Sequence, residues 1–128
     1  MVARTKNPLQ PLGELESAIL DALWDAGDLA TPEVHERVGV PRGLSYTTTL
    51  TVLQRLAAKG LAARRGGGRS HIYSAAMTRE EYAGKRAGSL AAALVELGTS
   101  GVSAFIAEAG RLDPDMVKQL RAQLRSRR

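Results

Sequence analysis

The chain has 128 residues, the length of one domain or of one small domain with an appended module. Its 44% hydrophobic and 24% charged residues are an ordinary globular balance, and its net charge of +5 favours polyanionic partners. Cysteine is absent and only His35 and His71 represent histidine, which excludes disulfides, thiolate zinc or iron–sulfur sites, cysteine nucleophiles and histidine-rich metal centres.

Residues 1–11 are basic, carry Pro8 and Pro11, show no periodicity and read as a flexible arm. They lack the apolar segment of a signal peptide, and no run approaches the roughly 18 apolar residues of a membrane span, so a cytoplasmic protein without membrane contact is expected. Leu15, Ala18, Ile19, Ala22 and Leu23 form one buried stripe and predict a helix over Gly13–Ala26, stopped by Gly27. Thr31 followed by Pro32 predicts an N-cap and a short helix to Val38, and Pro41 and Gly43 make 39–44 a turn. Ser45 caps a third helix that runs to Lys59 and ends at Gly60. Two short strands, Leu61–Arg65 and Arg69–Ser74, flank Gly66, Gly67 and Gly68, which can take the positive φ of a hairpin turn.

Three helices closed by a basic hairpin are the order of a winged helix-turn-helix domain. Beyond it, Thr78 and Glu81 form a capping box, with Met77 placed to staple onto Tyr82. A fourth helix is expected to Leu97, a break over Gly98–Gly101, a fifth helix over Val102–Ala109, and a sixth opened by Asp113 and Pro114. The fold class expected is mainly α with a small β-wing: a flexible arm over 1–11, a winged helix-turn-helix domain over 12–76, and a helical dimerisation module with a basic tail over 77–128.

Charge is segregated along the chain. From Arg37 to Arg79 there are eight basic residues and no acid in 43 positions. Within that stretch the third helix turns Thr49, Leu53, Leu56 and Ala57 toward the core and leaves Thr47, Thr48, Thr51, Arg55 and Ala58 on the opposite face. Threonine is a poor helix former, so four in five positions are unusual on a solvated surface. Short hydroxyls and methyls do fit a major groove, where they meet base edges, thymine methyls or phosphates. Arg55, one turn on, can reach a guanine or a phosphate. Threonines that only cap and pack the helix start are the competing explanation, but Ser45 already supplies the cap. Ser45 and Tyr46 complete the candidate DNA-binding set on the helix, and Arg64, Arg65, Arg69 and His71 on the hairpin suit the phosphate ribbon beside the groove. His71 reads as a strand residue or phosphate contact and His35 as a surface residue, while Trp24 and Tyr73 read as core or hinge. No nucleophile–base–acid cluster and no phosphate-binding loop is present, so neither an enzyme nor a cofactor is expected.

The segments LGELESAILDALW, YTTTLTVLQRLAAKGL and GRSHIYSA resemble those of the penicillinase-repressor (BlaI/MecI/CopY) family, over Leu12 to about Leu124. The resemblance implies a dimeric winged-helix repressor whose third helix reads the operator through Thr48, Thr51 and Arg55. It also implies a β-lactam or cell-wall-stress response, and a regulatory protease acting near Ala104 and Phe105, where relatives carry asparagine before the phenylalanine. Copper-responsive relatives carry C-terminal cysteines, so that branch does not apply. Independently of the resemblance, Leu90, Leu94, Phe105, Ile106, Leu120 and Leu124 form apolar faces that thin helices cannot bury alone, which points to a homodimer. Its two recognition helices would enter successive major grooves about 34 Å apart on an inverted repeat of double-stranded DNA. The alternative is a winged-helix protein-interaction module without specific DNA binding.

Overall fold

The computed structural model describes residues 12–66 and 71–127. The expected arm over 1–11, the hairpin tip with Arg69, and Arg128 lie outside the described residues. The chain divides into two compact units, one ending at Arg86 and one beginning at Ala87.

In the first unit, α1 (Glu14–Ala26) starts where the Gly13 N–H donates to Glu16 Oε1 at 3.1 Å and stops at Gly27, whose φ of +82° turns the chain out of the helix. Leu29–Ala30 then form a strand, β1, that the hydropathy pattern does not announce. The helix α2 (Thr31–Val34) starts one residue earlier than expected. Ala30 is its cap and donates its N–H to Glu33 Oε1 at 2.8 Å, while Thr31 is the first helical residue and is buried. The helical path does not end at Val38. It widens into a π turn over His35–Gly39 and tightens into a 3-10 turn over Val40–Arg42, so only Gly43, at φ +67°, makes the tight turn.

Ser45 caps α3 (Tyr46–Ala58), its hydroxyl accepting the Thr48 N–H at 3.2 Å. The strands β2 (Ala62–Arg65) and β3 (Ile72–Ala75) pair antiparallel, with Arg64 opposite Tyr73. β1 adds on the other edge, Leu29 opposite Tyr73, giving the order β1-β3-β2. Ile19, Leu20 and Leu23 of α1 meet Leu53 and Leu56 of α3, Val34, Leu61 and Tyr73 in one core of essentially zero exposure. This is the expected winged helix-turn-helix order, with the third strand added.

The capping box of α4 (Arg79–Leu112) forms as expected: the Glu81 N–H donates to Thr78 Oγ1 at 3.0 Å and the Thr78 N–H to Glu81 Oε1 at 2.8 Å. The Trp24 indole N–H donates to the Met77 carbonyl at 2.9 Å, so Trp24 ties α1 to the start of α4.

In the second unit the expected break over Gly98–Gly101 is confined to Gly98, at φ +74° and ψ −161°, a conformation open essentially to glycine alone. Helical geometry resumes at once, so the expected fifth helix starts directly after Gly98 rather than at Val102 and runs on to Leu112 as the second half of α4. Gly101 lies inside the second half of α4, where a side chain would collide with Leu97. Asp113 caps α5 (Pro114–Ser126), accepting the Asp115 N–H at 3.1 Å.

By length and composition α4 is apolar enough to cross a membrane, with mean hydropathy 1.6 over 18 residues, contrary to the expectation of no such segment. Glu96 is its only charge between Arg86 and Glu108, and small residues keep the run from looking continuous. The Gly98 break interrupts the hydrogen-bond ladder that hydrocarbon would demand.

Candidate nucleic-acid interface

Ser45 fixes the start of α3, and the burial of Thr49, Val52, Leu53 and Leu56 fixes its rotation. Thr47, Thr51, Gln54, Arg55 and Ala58 are then exposed, as is Tyr46 at the first position. Thr48 is half-buried, and its hydroxyl lies 2.9 Å from that of Ser45, so it takes part in the cap as well as in the face. Val52 is a core residue the sequence reading passed over. It shares the inner stripe with Thr49 and Leu56, at i, i+3 and i+7.

The exposed face borders a groove of about 500 Å³, walled by Gly13 and the first turn of α1 and by Ser45, Thr47, Thr48, Thr51, Val52 and Arg55. One side therefore carries hydroxyls and a guanidinium, the other two carboxylates. Glu16 is mostly buried, which by itself raises its carboxyl pKa. Hydrogen bonds from Lys59, at 2.6 Å, and from the Gly13 N–H, with the charges of Lys59 and Arg55, outweigh that and hold it below the ordinary carboxylate range.

Folding neutralises part of the apparent basic surplus. Of the seven described basic residues from Arg37 to Arg79, four are paired with acids distant in sequence. Arg42 meets Glu14 at 2.9 Å, Lys59 meets Glu16, Arg65 meets Asp28 at 2.9 Å, and Arg79 meets Asp21 and Asp25 at 3.4 and 3.2 Å. Arg79 also lies over the Trp24 ring, 5.0 Å from its centre. Arg37, Arg55 and Arg64 make no ion pair with the described residues. A linear charge map cannot show this neutralisation, because the acids come from α1 and from Asp28.

The hairpin carries Arg64 and Arg65 exposed on β2, with Gly66 beginning the turn at φ +90°. His71, just before β3, is half-buried, and its Nδ1 has no partner among the described residues. His35 is not the surface residue expected. It is half-buried between α2 and α3, with Nδ1 2.9 Å from Thr49 Oγ1.

Of the residues expected to dimerise, Leu90, Phe105, Ile106 and Leu124 are exposed, and Leu94 and Leu120 are half-buried. Val95, Leu97, Val102 and Leu112 are exposed apolar residues that the stripe did not include. The break at Gly98 resets the helical phase, so the apolar positions before and after it do not follow one stripe. Ala104 and Phe105 are exposed within the second half of α4.

The helices, the three-stranded sheet and the wing beyond α3 define a winged helix-turn-helix protein. The solution structure of the DNA binding domain of the repressor BlaI shares this fold, at TM-score 0.52 and 22% identity, over 60% of this chain and 94% of that one. The penicillinase repressor family pattern matches residues 12–126. The transcriptional regulator BlaI of Mycobacterium tuberculosis is 35% identical over 122 residues, covering 91% of this chain and 86% of that protein. The chain belongs to the penicillinase repressor family, whose members are transcriptional regulators and not enzymes.

Proposed function

We propose that the protein is a homodimeric DNA-binding repressor acting in the cytoplasm on an inverted-repeat operator in a β-lactam or cell-wall-stress response. The observation that carries the reading is the outer face of α3, where Thr47, Thr51 and Arg55 are exposed and free of long acidic side chains. Thr47, Thr51 and Tyr46 would meet base edges, and Arg55 a guanine or a phosphate. Arg64 and Arg65, with Arg69 and His71, would follow the phosphate backbone beside the groove. The exposed apolar residues of α4 and α5 would be covered by a second copy, whose own α3 enters the next major groove about 34 Å away.

Membership of the penicillinase repressor family supports the stress response. A regulatory protease would act on the bond between Ala104 and Phe105. That bond lies in helix and must open locally before a protease can take it in extended form.

The test is selection of duplexes from a random pool by the full chain, followed by titration across salt concentrations. A palindromic consensus, with binding that falls by roughly one log–log slope unit per phosphate contact, is expected. Enrichment of no sequence at low salt would overturn the reading in favour of a protein-interaction module.

A further inference from the structure

We propose that His35 is a positioning residue that sets how sharply α3 discriminates between DNA sequences, an inference that rests on the DNA-reading role of α3. His35 opens the π turn and touches the recognition helix at two points on one edge. Its Nδ1 lies 2.9 Å from Thr49 Oγ1, and its ring meets the Tyr46 ring edge-on, centres 5.5 Å apart at 75°. Tyr46 and Thr49 are one turn apart, so this contact fixes the rotation of the first turn of α3 about its axis. That same turn carries Thr47 and Thr48 outward.

The close approach is built into the chain. The π turn brings Gly39 back against the pair, and a β-carbon there would collide with both His35 Nδ1 and Thr49 Oγ1. Thr49 is completely buried, so its hydroxyl requires a partner, and the imidazole is the side chain that supplies one. Without the bond between them, neither side chain holds the first turn of α3 at its present rotation against the π turn. The exposed threonines would then present their hydroxyls a fraction of an ångström from where a base edge needs them. Phosphate contacts from long arginines would absorb the same shift.

The expected signature is a loss of discrimination without a loss of charge-driven binding. The probes are the duplex enriched by the wild-type full chain and a scrambled duplex of the same composition. His35→Ala should lower the ratio of the two affinities about three- to tenfold, the effect of one hydrogen bond, with the salt slope on scrambled DNA unchanged. His35→Asn, which places a polar atom near the Nδ1 position, should restore most of the ratio, and His35→Phe should not. Thr49→Val keeps the volume and removes the hydroxyl. It should match His35→Ala, and the double variant should be no worse than either single one.

Urea unfolding of each variant identifies the folded species to compare, and Thr49→Val carries the test should His35→Ala fail to fold. A wild-type ratio with folded His35→Ala or Thr49→Val, or rescue by Phe rather than Asn, would overturn the role of His35 alone. A wild-type chain that prefers no sequence would overturn the DNA-reading role and this one with it.

Discussion

The two units of the chain use the same kind of side chain to opposite ends. Up to Arg86, leucine, isoleucine and valine from three helices and a sheet enclose one another, and Ile19, Leu53, Leu56, Leu61 and Tyr73 reach zero exposure. From Ala87 onward, Ala109 is the single buried residue among those described, while Leu90, Val95, Leu97, Val102, Phe105, Ile106, Leu112 and Leu124 are exposed. Crossing helices backed by a sheet close a core within the first unit, whereas the helical stretches from Ala87 onward bury little apolar surface among themselves. Stability of the first unit is therefore internal, and the apolar surface of the second is available to a partner. Exposed apolar residues in this number are what the proposed second copy would cover.

Truncating one leucine on each side of the divide gives the largest contrast. Leu53→Ala opens a cavity in a packed core and should cost about 2–5 kcal/mol in urea unfolding. Leu124→Ala, at an exposed position, should cost less than about 0.5 kcal/mol when measured on dilute protein. Equal costs would mean that Leu124 packs within its own chain.

Charge placed on the apolar surface sharpens the comparison from the other side. Ile106→Asp should leave the first unit folded but abolish self-association, because an unpaired carboxylate is expensive to bury. Sedimentation should show a monomer, and the thermal midpoint should lose its dependence on protein concentration. A dimer that persists would place the interface elsewhere.

Within the first unit, the ion pair between Glu16 and Lys59 joins α1 to the end of α3. Lys59→Met strands a mostly buried carboxylate and should cost about 1–3 kcal/mol at neutral pH. The folded pKa of Glu16 lies below its ordinary value of 4.5. Its contribution is therefore complete above that ordinary value and is lost as pH falls through the lower folded one. Urea midpoints taken from pH 6 downward should fall through this window in the wild type and show a shallower fall in Glu16→Gln.

How legible these features were in the sequence follows from the range of the interactions behind them. The stripe in α1, the Ser45 cap, the Thr78–Glu81 box and the Asp113–Pro114 start are local, and each stands where the sequence places it. β1 is two residues long and exists because β3 offers it a free edge, so no local pattern marks it. The π turn after α2 depends on Gly39 fitting under His35 and Thr49, which are far apart in sequence. For the candidate site, the outward face of α3 was legible from periodicity. The pairing of Arg42, Lys59, Arg65 and Arg79 was not, since each acid lies 20 or more residues from its partner. His35 was misplaced for the same reason: a lone histidine on a short helix looks solvated until α3 is packed against it.

The smallest expected effect separates stability from binding at the wing. Arg65 is well exposed and paired with Asp28 at 2.9 Å, a surface pair worth about 0–1 kcal/mol. Asp28→Asn should accordingly lower the urea-unfolding free energy by a few tenths of a kcal/mol, roughly the value of such an exposed pair. Its effect on DNA should have the opposite sign. In the free protein the Asp28 carboxylate competes with phosphate for the Arg65 guanidinium, and its negative charge repels the backbone. Removing that charge should raise affinity for scrambled DNA a few-fold at low salt, with the gain fading as salt screens the interaction. Arg65→Gln loses the same pair and should cost the same small stability, yet it should weaken binding and lower the salt slope by about one unit. Two variants alike in stability and opposite in affinity would place Arg65 on the phosphate backbone. Two variants alike in both would leave the wing tip outside the contact and shift the burden to Arg55 and the threonine face of α3.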